Sequence, residues 1–172
     1  RFSLAIVDEA GQIPEPGLIG LLASHRGSDA LPDIARFILV GDHKQLPAVV
    51  QQNPADTVVN DGQLHRIGLE DCRESLFERL LRLERRAGRN AFVGILHRQG
   101  RMHPDIADFP VRSFYAEEAL IPVPCAHQTE PELGYRLPAQ EALDKLLKTQ
   151  RMLFLPSSPS DSPNISDKVN PQ

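Results

Sequence analysis

The chain has 172 residues, enough for one ordinary domain or for parts of two. A formal net charge of −4 excludes the global basic footprint common among nucleic-acid binders, although a local basic groove stays open. Two cysteines, Cys72 and Cys125, far apart and in unrelated contexts, make neither a disulfide framework nor a zinc site. Both are expected to be reduced thiols, in keeping with a cytoplasmic protein. No apolar run approaches a membrane span, so no membrane partner is expected.

The chain opens at once in a strand-like run, which suggests a cut through a longer protein, so the lack of a leader carries little weight. "SLAIVDEA" sets four apolar residues before two acids, and so short a run suits a strand buried on both faces. "IARFILVGDHKQLP" repeats the pattern, ending in Gly41-Asp42 and a polar loop, and "NAFVGILHRQ" repeats it again. Three buried strands with polar tips predict an α/β fold, an open parallel sheet with flanking helices. Ligands of such sheets bind beyond the carboxyl ends of the strands, so the tips are the places to search.

Between the second and third runs, "ESLFERLLRLERRAG" predicts a helix with Leu76, Phe77, Leu80 and Leu81 on one face. Ser75 and Glu78 match a capping box, and Gly88 suits the stop. Pro104 fits the first turn of a later helix, with Asp105 favourable there. "PAQEALDKLLKTQ" predicts another helix and "RMLFLP" another strand. The Ser/Pro-rich end, residues 156–172, is expected to be a flexible linker.

The chemistry gathers at the three tips. An Asp after the first strand, Asp8, can hold Mg²⁺ through water, and the adjacent Glu9 can orient and deprotonate an attacking water. Gln12, one turn on, can hydrogen-bond that water or a phosphate. The alternative is a polar pair that merely caps a strand end. At the second tip, Asp42 and Gln45 offer a carboxylate and a neutral amide, and the amide can report a phosphate. The alternative there is a polar turn bent at Gly41 and stiffened by Pro47. At the third, Arg101 presents an always-charged fork suited to phosphate oxygens, or else a solvated surface charge. Met102 reads as core, His97 as exposed and His103 as a turn or cap residue.

Taken together, "DEAGQ", "GDHKQLP" and "QGRMHPDIADFPVRSFY" resemble motifs II, III and IV of superfamily 1 helicases. The resemblance is to the up-frameshift-like, 5′-to-3′ (1B) branch, in its bacterial AAA-domain form, and spans nearly the whole chain as a central fragment. It implies a P-loop NTPase fold with two RecA-like domains. Residues 1–88 would form the back half of the first, and residues 91–155 the start of the second.

The resemblance implies ATP and Mg²⁺ as cofactors, with Asp8 at the metal and Glu9 as catalytic base. Gln12 and Gln45 would sense the γ-phosphate, Arg101 would reach the phosphates from across the cleft, and Asp42, Gln99 and Gly100 would also lie along the nucleotide. Single-stranded or duplex DNA or RNA is the implied partner.

Two departures follow. Many relatives carry Tyr where Gly100 stands, and a glycine offers no ring to stack on adenine. No Gly-Lys pair occurs in the chain, so the P-loop is expected to come from a missing segment of the same parent. The chain alone is therefore expected to be inactive, and the parent to be an ATP-dependent helicase. The alternative is an ATP-gated nucleic-acid or protein-binding switch that unwinds nothing.

Overall fold

A computed structural model describes residues 2–25, 33–131 and 133–156. The linker expected over 156–172 lies, apart from Pro156, outside the described residues. The chain divides into two compact units, Arg1–Gly94 and Ile95–Gln172.

In the first unit, β1 (Ala5–Val7) and β2 (Phe37–Leu39) pair in parallel, Ala5 with Phe37, Ile6 with Ile38 and Val7 with Leu39. Parallel neighbours need a crossover. Here it runs through two 3₁₀ turns, Ala10–Gln12 and Glu15–Leu18, and the short helix α1 (Ile19–Leu22). After β2 come α2 (Pro54–Thr57), α3 (Gly62–Arg66) and the longer α4 (Leu76–Arg86). The second unit pairs β3 (Arg98–Gln99) in parallel with β4 (Ile121–Pro122) around α5 (Pro104–Phe114). It continues through α6 (Ala126–Thr129) to α7 (Ala142–Thr149). The α/β class with parallel pairing and flanking helices is as the sequence predicts.

The helix ends follow local chemistry. The Ser75 hydroxyl accepts from the Glu78 amide at 3.1 Å and donates to the Glu78 carboxylate at 2.9 Å. At the other end Gly88 takes φ 64°, with Gly88 N–H bonded to Arg85 O and Arg89 N–H to Glu84 O. That is the Schellman pattern, and it satisfies carbonyls the helix would otherwise leave open. His103 caps α5, its Nδ1 accepting from Asp105 N–H at 3.2 Å. Pro110 sits inside α5 and removes one amide from its ladder.

Burial departs from the sequence pattern in four places. β1 and β2 are not buried on both faces, since Ile6 is 64% exposed and Ile38 is also exposed. An apolar run is hidden only where a second layer covers it, and none of the described residues does so here. The third run, Asn90–Gln99, is a strand only at its end, β3, since its apolar part leaves Phe92, Ile95 and Leu96 exposed and the pairing begins at Arg98. "RMLFLP" finds no pairing partner among the described residues, and Phe154 is 89% exposed. On α4, Leu80 faces out, while the buried positions are Leu76 and Arg79.

Arg79 explains that last difference. It is 6% exposed and grips Glu15, itself 8% exposed, through two bonds of 2.6 Å, Nε to Oε2 and Nη2 to Oε1. Its Nη1 donates to Ile67 O at 2.6 Å. Beside it Arg82 pairs with Glu74 and donates to Gly68 O at 2.8 Å, while Glu15 N–H bonds Glu74 O. A bidentate guanidinium is the geometry in which a buried pair offsets its desolvation. The apolar core around this network is small: Ala10, Leu18, Ile34, Val59, Leu69 and Leu76. On the surface nearby, the Arg73 guanidinium and amide hold the Asp71 carboxyl well below the usual carboxylate range.

Removing one partner should expose the cost of the other. Arg79→Met leaves a buried carboxylate and is expected to lose about 3–5 kcal/mol. Glu15→Leu combined with Arg79→Met should recover most of that loss. Urea denaturation of both variants beside the parent measures it.

Candidate functional site

The first two tips converge through backbone rather than side chains. Beyond β1 and β2 the ladder continues, with Val40 N–H on Val7 O and Ala10 N–H on Val40 O, each at 2.8 Å. This lays the Asp8–Gln12 turn against the Gly41–Gln45 loop. Gly41 permits the approach, since a Cβ there would lie 2.9 Å from Gly11 N and 3.3 Å from Ala10 N. Parallel pairing therefore brings Asp8, Glu9, Gln12, Asp42 and Gln45 to one sheet end, where ligands of such sheets bind.

Glu9 stands out by its backbone. It takes the left-handed conformation, φ 50° and ψ 36°, which costs a residue with a Cβ about 1–3 kcal/mol. Its amide donates to Asp8 Oδ1 at 2.9 Å and its carbonyl accepts from Gln12 N–H. The turn thus holds both acids, with their carboxylates exposed at the strand end. Gln12 is exposed as well.

Asp42 organises the second loop. Its Oδ1 accepts from Lys44 N–H at 3.0 Å and its Oδ2 from Gln45 Nε2 at 3.0 Å. The amide proposed to meet a phosphate is thus turned onto its own loop. From α4, Arg85 Nη1 donates to His43 Nε2 at 3.2 Å and ties the helix to this loop.

Arg101 stands in the second unit, on a turn between β3 and α5. Gln99 Oε1 accepts from Arg101 N–H at 3.0 Å and Met102 N–H at 2.8 Å, while its Nε2 donates to Met102 O at 2.9 Å. The side chain of Gln99 is thus spent on its own turn. The Arg101 side chain is exposed. Gly100 is exposed too, and a Cβ there would meet nothing closer than Val123 Cβ at 3.9 Å. Met102, read as core, is only half-buried.

Asp8 fits a hydrated divalent ion by its donor chemistry. Mg²⁺ keeps several waters and needs only one or two protein carboxylates, and Asp8 offers an exposed one. Among the described residues no three His, Cys, Asp or Glu side chains gather as an all-protein cage. Both cysteines are free and half-buried. No helix among the described residues is long and apolar enough to cross a membrane.

Sequence reasoning missed the supports. Arg79 lies at the spacing of an apolar stripe, where a buried cation could have been suspected, and Glu15 is its partner. Gln128, 3% exposed, touches the Arg101 turn from residues far along the chain, and no local pattern announces it.

Residues 1–53 match the family model described as an AAA domain. Over 170 residues, 99% of the chain, the sequence is 31% identical to the regulator of nonsense transcripts 1 homolog of Drosophila melanogaster, covering 12% of that protein. Over 66% of the chain it is 37% identical to the probable helicase MAGATAMA 3 of Arabidopsis thaliana, covering 11% of it. Over 67% of the chain it is 32% identical to the ATP-dependent helicase upf1 of Schizosaccharomyces pombe, covering 10%. The chain thus spans about a tenth of the length of these relatives. It is homologous to a segment of such helicases, and its small parallel sheets with flanking helices are consistent with part of a RecA-like P-loop NTPase domain.

The glycine contact makes a direct prediction. Gly41→Ala should push the two turns apart and cost about 1–3 kcal/mol, as overpacking does. Gly11→Ala should cost less, because its Cβ would meet Asp42 O at an ordinary 3.4 Å. Urea unfolding of the two variants side by side tests the order.

Proposed function

We propose that this chain is the motif II-to-IV segment of an ATP-dependent nucleic-acid helicase. Residues 1–88 would belong to its first RecA-like domain and residues 91–155 would begin its second. The observation that carries the reading is the backbone convergence of the Asp8–Gln12 turn and the Gly41–Gln45 loop beyond the carboxyl ends of β1 and β2. Two polar turns locked together at that place suit a nucleotide phosphate better than they suit packing.

Bound Mg-ATP would supply the phosphoryl group that water attacks. Asp8 would hold the hydrated ion. Glu9 would accept the proton of the attacking water, and its strained backbone keeps the carboxylate at the strand end. Gln12 would orient that water. Gln45 would exchange Asp42 for a phosphate oxygen, which makes the loop responsive to nucleotide. Arg101 would stabilise charge developing on the phosphoryl group, the role in which an arginine is worth most. The strand partner, DNA or RNA, would be held through its phosphates and by stacking, with 5′-to-3′ translocation as the sequence resemblance implies.

In the full-length protein that carries this segment, Glu9→Gln preserves shape and removes the base. ATP turnover should fall about 10²–10⁴-fold while ATP still binds. Unchanged turnover removes Glu9 from the mechanism. Strand displacement measured beside hydrolysis separates helicase from switch, since hydrolysis without displacement favours the ATP-gated switch.

Gly100 supplies a second test. The space around it admits a side chain, so Gly100→Tyr should fold. A ring there should tighten nucleotide binding by about 1 kcal/mol or more, for ATP and GTP alike, since every base has a face to stack. Nucleotide titration of the variant beside the parent reads the change, and unaltered affinity places the base away from Gly100.

A further inference from the structure

We propose that Gln128 is a positioning residue for Arg101. The inference rests on the phosphate-directed role of Arg101 proposed above and names what fixes that arginine.

Gln128 lies on α6 and is 3% exposed. Its Nε2 donates to Gln99 O at 2.9 Å and to Met102 O at 2.8 Å, which spans the turn that carries Arg101. Two carbonyls facing one amide nitrogen fix the orientation of that amide, because an oxygen there would repel both. Its neighbour His127 donates from Nε2 to Gly100 O at 2.8 Å. Val123 N–H adds a bond to Gln99 O at 2.9 Å. With the Gln99 side chain bonded to Arg101 N–H and Met102 N–H, the turn is held from both sides.

Three carbonyls and two amides of this half-buried turn are therefore committed, while the exposed Arg101 side chain projects from it. The exposed part of the turn, Gly100 and Arg101, needs no such bracing for stability, since water satisfies its groups at little cost. A cation that must meet developing charge does need it, because misplacement by about 1 Å can cost about 10²-fold in rate.

A second observation points the same way. Among the described residues, the buried Gln128 Oε1 atom has no hydrogen-bond partner. An orphaned buried carbonyl destabilises a fold, so an apolar residue of similar size would serve packing better. The amide nitrogen must contribute something that packing does not.

The test uses Gln128→Met in the full-length protein, which keeps the volume, deletes both donors and removes the orphan. Little change in melting temperature is expected, with ATP turnover down about tenfold to a hundredfold at nearly unchanged KM. The same substitution in an Arg101→Ala background should have no further effect, since the two residues act as one unit. Additive losses, or full turnover in Gln128→Met, overturn the proposal. If Arg101→Ala alone leaves hydrolysis intact, the functional reading itself has failed, and that outcome is distinct.

Amide hydrogen exchange gives a readout free of catalysis. Arg101 and Met102 N–H should exchange slowly in the unaltered protein and at least tenfold faster in Gln128→Met. Rapid exchange of both in the unaltered protein overturns the clasp whether or not the variant folds.

Discussion

The buried Glu15–Arg79 pair is the constraint on which the first unit depends. Glu15 stands in the turn that follows Asp8 and Glu9, and Arg79 is the buried cation of α4. The pair fastens the turn that follows the candidate catalytic one to α4. Its attraction is strong only because both groups are nearly out of water, and it is secure only because every exchange is bidentate or shared with a carbonyl. Arg82 and Glu74 repeat the device one turn along, and Pro14 bridges Ser75, the cap of the same helix. A core this small leaves ion pairs a large share of the task of fixing one arrangement, and it makes that arrangement sensitive to the loss of any one partner.

Above that anchor the structure divides its tasks by chain level. Backbone groups set the positions of the two turns, through the ladder past Val7 and the glycine contact at Gly41. Side chains are then spared for chemistry. The cost appears at Glu9, whose left-handed backbone is the one strained conformation among the candidate residues of these two turns. A glycine would adopt it freely. A glutamate there exchanges local stability for the position of its carboxylate, a bargain found chiefly where position matters.

How much of this was legible in the sequence depends on the range of each interaction. Ser75, Glu78, Gly88 and His103 act within four residues of themselves, so caps and helices could be read directly. Parallel pairing of the first two runs was legible too, because apolar runs separated by a crossover have few other solutions. Burial was not. Ile6, Phe92 and Phe154 look like core and are exposed, since burial depends on a covering layer that no short pattern encodes. Leu80 and Arg79 exchanged their expected places because a carboxylate 64 residues away claims the arginine. Gln99, expected along the nucleotide, also braces its own turn, a task that a reading by residue type could not foresee.

The two polar groups proposed to meet phosphate are held in opposite ways. The Arg101 turn is braced on its amides and carbonyls, so the arginine projects from a fixed base with only its side chain left to order. Gln45 is instead turned onto Asp42, and the N–H that meets the carboxylate must give up a charge-assisted hydrogen bond before it can bond a phosphate. That bond sets a threshold. A neutral partner such as water gains too little to displace the carboxylate, whereas a multiply charged oxygen competes with it on equal terms. A fixed cation favours the transition state, because its cost is met during folding. A tethered amide favours discrimination, because its cost is met at binding. Under the proposed function, the loop that supplies Asp42 would decide which ligand is strong enough to move Gln45, within four consecutive residues.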